Sequence, residues 1–194
     1  AVVAAEDAKF SEHEGFDWEG IQKALEKNQK KGKIVAGGST ISQQLAKNLF
    51  LSASKTPWRK AQEAVITLML EAVLDKRRIL EIYLNVVEWG NGVFGAEAAA
   101  RHYYGTSAAQ VSAEQAARLA VLLPNPRKFG RLPNSPYLAA RSQVILGRMN
   151  AAERTDALME EGGIQNCGFA QNCVVVCPKH IPNTTSIARG NRAT

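Results

Sequence analysis

The chain has 194 residues, 45% of them hydrophobic and 22% charged, which is enough apolar material for one domain with a real core and excludes a disordered chain. No apolar run reaches the roughly 18 residues that suggest a membrane-spanning helix, and no signal peptide is visible. The formal charge is +6, and its excess is local: Lys23 to Arg78 holds twelve Lys/Arg against four Asp/Glu. Such a span predicts an anionic partner (nucleic acid, a phosphorylated ligand or an acidic membrane surface) or else a solvated helix face.

In chain order, Ala1 to Ala5 reads as the end of a helix or turn that delivers Glu6. The next stretch is dense in titratable groups: Glu6, Asp7, Glu12, His13, Glu14 and Asp17 surround Phe10 and Phe16. A carboxylate placed there can have its pKa raised by burial and by like charge, as a general base requires. Glu6 is the candidate, with an exposed acidic turn as the alternative; His13 reads as a structural histidine. Asp17 can cap a helix whose apolar side is Trp18, Ile21 and Leu25, ending at Lys30-Lys31-Gly32-Lys33.

Gly37-Gly38-Ser39-Thr40 opens a second helix, with Ile41, Leu45 and Leu49 inward. Two readings compete there. Glycines and a helix N-terminus, with Ser39, Thr40, Gln43 and Gln44 as neutral donors, make a phosphate or sugar cradle. The same residues also make a simple capped helix start. The Lys-Ser/Thr pair of a nucleotide-binding loop is missing.

Thr56-Pro57 marks an N-cap and first helical residue. The helix that follows is expected to bury Ala61, Ala64, Val65, Leu68, Met69 and Ala72. Arg59 and Lys60 in its first turn oppose the helix-dipole preference, which points to an anion, and Glu63 can pair with Arg59 at i,i+4. Asp75 starts the next helix, cation-first again at Lys76, Arg77 and Arg78, with Ile79, Ile82 and Tyr83 inward. A glycine-rich turn (Gly90, Gly92, Gly95) leads to an alanine-rich helix stopped by Gly105. Ser112 to Gln115 is a capping-box pattern. A proline-rich loop from Asn125 precedes a last helix from Ser135-Pro136 to about Met149. The fold class is mainly α, with a composition change and a boundary near residue 157.

The chemistry so far is one base-type carboxylate, a second carboxylate on a helix, and cations suited to a phosphate or diphosphate. That combination suits a base activating a hydroxyl while cations stabilise a departing anion.

Five ordered blocks over residues 1 to about 150 add a resemblance. They are Glu6-Asp7-x-x-Phe10-x-x-His13-x-Gly15-x-Asp17; Gly37-Gly38-Ser39-Thr40-Ile41-Ser42-Gln43-Gln44-Leu45; Arg59-Lys60-x-x-Glu63-Ala64; Arg78-Ile79-Leu80-Glu81-x-Tyr83-Leu84-Asn85; and Gly92-Val93-x-Gly95-x-Glu97-x-Ala99-Ala100. They resemble the peptidoglycan glycosyltransferase domain (glycosyltransferase family 51), most closely its monofunctional biosynthetic branch. One departure is Ser42, where the family usually has Thr; the hydroxyl is kept.

The resemblance implies a lysozyme-like helical domain that polymerises lipid II into β-1,4 glycan with inversion, releasing undecaprenyl diphosphate. Glu6 matches the base and Glu63 the second essential carboxylate. Lys47, Arg59 and Lys60 match the diphosphate-contacting cations, and Ser39, Thr40, Gln43 and Gln44 the cleft lining. The implied partners are lipid II, the growing glycan, the membrane surface and penicillin-binding or divisome proteins, not nucleic acid. The implied location is the periplasmic side of the inner membrane. Some members use a divalent metal, Mg or Mn, a point the sequence leaves open. An apolar membrane-facing surface is also implied, with Ile34, Val35, Leu49, Phe50, Leu51 and Trp58 as candidates and core packing as the alternative. The family's N-terminal transmembrane segment is expected to be missing. Two other functions stay open: a hydrolase of the same fold, and an impaired, truncated domain that binds lipid II or anionic membrane.

The three cysteines, Cys167, Cys173 and Cys177, lie beyond that domain. Residues 162 to 192 resemble the C-terminal end of the iron–sulfur subunit of succinate dehydrogenase or fumarate reductase. There Cys167 and Cys173 would match ligands of the three-iron cluster and Cys177 one of the four-iron cluster. The other ligands come from an upstream cysteine-rich segment that this chain lacks, so no cluster is expected and the tail reads as a junction product. Zinc held by the three cysteines and His180 is the alternative.

Overall fold

The computed structural model describes residues 1–33, 37–52, 56–132 and 135–159. The cysteines and His180 lie outside them, as do Ile34 and Val35. Two compact units are present, Ala1–Leu146 and Gly147–Thr194; of the second, only the continuing last helix is described.

Polar caps set where the helices begin. Helix α1 (Val2–Glu6) delivers Glu6 at its last residue. In α2 (Trp18–Lys31) the Asp17 carboxylate accepts from the Gly20 N–H at 2.8 Å, and Gly32, left-handed at φ +60°, ends it. Helix α3 (Ile41–Phe50) starts with a full capping box: Thr40 accepts from the Gln43 N–H, and the Gln43 side chain accepts from the Thr40 N–H. Thr56 caps α4 (Pro57–Val73) with Pro57 in its first turn, and Asp75 caps α5 (Lys76–Val86). These side chains satisfy donors that a helix start leaves unpaired.

A short antiparallel hairpin follows, β1 (Glu88–Gly90) with β2 (Val93–Phe94). The glycine-rich turn therefore contains a small strand pair, which is too short for alternation to betray it. Then come α6 (Ala96–Tyr104), ended by left-handed Gly105, and α7 (Ala113–Ala120), started by the Ser112/Gln115 capping box. The one-turn α8 (Pro126–Phe129) and α9 (Pro136–Met159) complete the described chain. Helix α9 continues ten residues past the expected Met149, because no Gly or Pro intervenes before Gly162. The expected boundary near residue 157 falls within it.

Helix α3 is central and packs on both α4 and α5. Ile41, Leu45 and Ala46 of α3, Ile79 and Tyr83 of α5, Ala99 and Ala100 of α6, and Ala117 and Ala120 of α7 are buried. Trp89 and, in α9, Leu138 and Ile145 complete that core. Alanines at these crossings let helix backbones come close.

Two expected apolar sides are not where periodicity placed them. In α2 only Ala24 is buried, while Trp18 and Leu25 are exposed. In α4 the relation is inverted. Its buried residues are Glu63 and Thr67. Val65, Leu68 and Met69 are more than half exposed, Ala61 and Ala72 are exposed, and Ala64 is half-buried. The buried polar groups of α4 find partners within the helix itself and, at Glu71, from α3 and α5. Thr67 Oγ1 donates to the Glu63 carbonyl at 2.7 Å, and Glu71 accepts from Ser42 Oγ at 2.5 Å and Lys76 Nζ at 2.7 Å. A 3.6-residue period reveals that a helix has two faces but not which one is buried. Leu49, expected inward, is 42% exposed in the last turn of α3.

Candidate active site

A cleft of about 480 Å³ is lined by Ala5 and Glu6 of α1 and by Gly37, Ser39 and Gln44. Lys27 of α2 and Tyr137, Arg141 and Ile145 of α9 complete its wall, with Ala120, Val121 and Pro124 beside them. Glu6 sits at the end of a helix, its carboxylate mostly out of water. Burial is the main cause that pushes its pKa up; a hydrogen bond from Gln44, then the charges of Arg141 and Lys47, pull the other way, and the Asp7 charge adds a small push up. Gln44 Nε2 donates to Glu6 Oε2 at 2.9 Å, and Tyr83 OH donates to Gln44 Oε1 at 2.9 Å.

Asp7 faces the opposite way and is buried. One of its oxygens accepts from the Ile41 N–H at 3.0 Å, and both accept from His13 Nε2, at 3.0 and 3.1 Å. The N-terminus of α3 therefore already holds an anion, the chain's own Asp7, where the dipole favours one. Thr40 and Gln43 spend their side chains on the capping box, and Thr40 Oγ1 also donates to the Gly15 carbonyl at 2.6 Å. Both are nearly fully buried. The capped helix start is present, formed by Thr40 and Gln43. Thr40 and Gln43 hold up the cleft wall, whereas Ser39 and Gln44 line it. Gly38 has its own reason to lack a side chain: a Cβ would lie 3.0 Å from the Ile21 Cα of α2.

The second carboxylate belongs to a separate cluster on α4. Glu63, with a side chain only 3% exposed, pairs with Arg59 Nη1 at 3.0 Å and with Lys60 Nζ. One carboxylate shared by two cations leaves a net charge of +1. Neither Glu63 nor its two partners line the Glu6 cleft. Lys47, exposed on α3, reaches Glu6 only through its charge.

Sequence reasoning missed Arg141, Tyr83 and Lys27 as neighbours of the base. Tyr137, Arg141 and Ile145 recur every four residues on α9, a stripe that could have signalled a shared face. Nothing local in the sequence joins it to Glu6. Leu49, Phe50 and Trp58 are exposed, Trp58 at 73%, and Leu51 is half-buried. Core packing does not account for the exposed three.

A hard divalent cation needs several converging oxygens. Both Glu63 oxygens are engaged by cations, and no three His, Cys, Asp or Glu converge among the described residues. The donor set does not fit a metal, and no chemical step is assigned to one. Among the described residues no helix is long and apolar enough to cross a membrane.

Comparison with known proteins accounts for the same stretch. The family model "Transglycosylase" matches residues 1–150. The biosynthetic peptidoglycan transglycosylase of Nitrosospira multiformis is 70% identical over 152 residues, covering 78% of this chain and 66% of its own length. The proteins of the same name from Dechloromonas aromatica and Chromobacterium violaceum are 68% and 66% identical over 153 residues, each covering 79% of this chain. The chain spans about two thirds of the length of these relatives, 66% for the first two and 67% for the third. By the family match and these identities, the chain belongs to the transglycosylase family.

Proposed function

We propose that this domain is a peptidoglycan glycosyltransferase that polymerises lipid II. The observation that carries the reading is Glu6: a largely buried carboxylate in the main cleft, holding one N–H donor, with two cations near enough to act on its charge. Burial raises its proton affinity toward the range useful to a general base at neutral pH, while Gln44 and the cations keep the ionised form accessible.

Glu6 takes the proton from the acceptor sugar's 4-hydroxyl. The oxygen attacks the anomeric carbon of the lipid-linked donor, the bond to the diphosphate breaks, and the configuration inverts. Negative charge grows on the departing diphosphate. The Arg59–Lys60–Glu63 cluster, with its net positive charge, and Lys47 would stabilise it, as fixed cations do without reorganising. Glu63 keeps the Arg59 guanidinium in one orientation. Ser39 and Gln44 contact the sugars in the cleft. The cations and the exposed apolar residues at Leu49, Phe50 and Trp58 suit a lipid-linked substrate at a membrane surface, on the periplasmic side. Penicillin-binding or divisome proteins are the partners that the family suggests.

The test is to incubate the protein with labelled lipid II in detergent and resolve the products by size. Polymer that disappears in Glu6→Gln supports the proposal. Lipid II that binds without polymerising overturns it in favour of a binding domain, and cleavage of finished glycan favours the hydrolase.

A further inference from the structure

The hydrogen bond from Gln44 to Glu6 depends on which way the Gln44 carboxamide faces. The two orientations have nearly the same shape but opposite chemistry. With Nε2 toward Glu6 the amide donates to the carboxylate, stabilising the ionised form. With Oε1 toward Glu6 two acceptors would face each other unless Glu6 carried a proton to donate. A free glutamine would exchange between the two.

Tyr83 removes that freedom. Its side chain is fully buried in α5, and its hydroxyl lies 2.9 Å from Gln44 Oε1. Burial, and secondarily the Glu6 charge, push its pKa far above the ordinary tyrosine value, so the phenol stays protonated and donates. In the flipped orientation the Gln44 NH2 would meet the phenol oxygen, and the phenol proton would lose its acceptor in the core, an arrangement that buried polar groups avoid. We propose that Tyr83 is a positioning residue: it fixes the orientation of Gln44 and so guarantees the base an N–H donor. The proposal rests on Glu6 being the base.

Among the described residues, four charged groups face Glu6 or line its cleft. Asp7 follows it in the chain, Lys47 comes from α3, Arg141 from α9, and Lys27 of α2 lines the same cleft. The residues of α7 and its end that line the cleft, Ala120 and Val121, are uncharged. Among the described residues Gln44 is the side chain that makes a hydrogen bond to the carboxylate, so its orientation is a point at which the base can be tuned without changing a charge.

The experiment uses Tyr83→Phe in two readouts. In the pH–rate profile of polymer formation, the acid limb moves upward by about one pH unit, a tenfold rate loss below the limb, and the rate at high pH returns to within about threefold of wild type. In carbon-13 NMR of labelled glutamate, the Glu6 carboxyl titrates correspondingly higher. Isosteric Gln44→Met, which removes the N–H outright, gives a displacement at least as large, and adding Tyr83→Phe to it gives no more. A 3,5-difluorotyrosine at position 83, which keeps the packing and donates more strongly, moves the Glu6 titration downward. A rate loss equal at every pH with the Glu6 titration unmoved, or displacements that add in the double variant, overturns the relay. Should Tyr83→Phe fail to fold, the fluorinated side chain alone decides: an unmoved Glu6 titration refutes the proposal. Absence of polymer from the wild-type protein would count against the assigned reaction, while the NMR titration would still judge the relay.

Discussion

Replacing Gly15 by alanine tests how tightly the Glu6–Asp17 segment is held against α4. Gly15 has φ +89°, a conformation L side chains rarely adopt, and its carbonyl accepts from Thr40 Oγ1 at 2.6 Å. A Cβ there would lie 2.8 Å from Thr67 Cγ2 and 3.2 Å from Glu71 Cγ. The backbone term is about 1–2 kcal/mol. Forcing a methyl into packed surroundings adds about 1–3 kcal/mol, so Gly15→Ala should cost roughly 2–5 kcal/mol in all. Urea unfolding followed by circular dichroism measures it. The two terms separate by adding Thr67→Ser, which removes Cγ2 and keeps the hydroxyl that donates to the Glu63 carbonyl. In the Gly15→Ala background that change should restore about 1–2 kcal/mol, although alone it should cost about 0.5–1.5 kcal/mol through the lost methyl. A Gly15→Ala protein within about 0.5 kcal/mol of wild type, or a Thr67→Ser change that costs the same in both backgrounds, would refute the reasoning.

Three more outcomes are expected. Glu63→Gln leaves Arg59, 16% exposed at its side chain, without its counter-charge; Lys60 is half in water and matters less. The loss should be about 2–4 kcal/mol in denaturant unfolding, with polymer formation falling as well. Asp7→Ala strips partners from the Ile41 N–H and His13 together, a loss of about 2–4 kcal/mol by the same method. Glu6→Gln abolishes polymer yet should raise thermal stability at neutral pH. The native pKa of Glu6 is raised, so the folded protein bears the cost of its ionised form above that pKa and none when both states are protonated. The variant's advantage should therefore shrink as pH falls through the Glu6 pKa, and melting curves across that range check it.

What the sequence disclosed was mostly local. Asp17, Thr56, Asp75 and Ser112 announce their helices because a cap acts within three residues. Glu6 could be singled out because apolar neighbours and other carboxylates crowd it in the sequence itself, and His13 proved to be held by Asp7, in the structural role expected of it. The failures were those of direction and distance. Glu63, Thr67 and Glu71 repeat every four residues as regularly as the apolar residues beside them; Glu63 and Thr67 find their partners within α4, and only Glu71 is met by a hydroxyl and a cation from other helices, which no pattern within α4 reveals. Thr40 and Gln43 carry donors that suit a ligand or a helix end equally well; the tie is broken by Asp7, 34 residues from Ile41. Arg141 and Tyr83 meet Glu6 and Gln44 from the far side of the chain, where no spacing rule reaches.

The bonds that complete the Glu6 site share one property. Asp7 to Ile41 spans 34 residues, Glu6 to Gln44 spans 38, and Gln44 to Tyr83 spans 39. The Gln44–Tyr83 bond forms together with the packing of α3 on α5, whereas Asp7 and Glu6 lie outside that core and must be brought to it across 34 and 38 residues. During folding the α3–α5 core can therefore assemble before Glu6 has its donor, and catalytic competence arrives after most of the secondary structure. In the native protein the same asymmetry makes the segment around Glu6 and Asp7 the part able to detach while the core stays closed. Amide hydrogens there should exchange through a smaller opening than those of Leu45 or Tyr83.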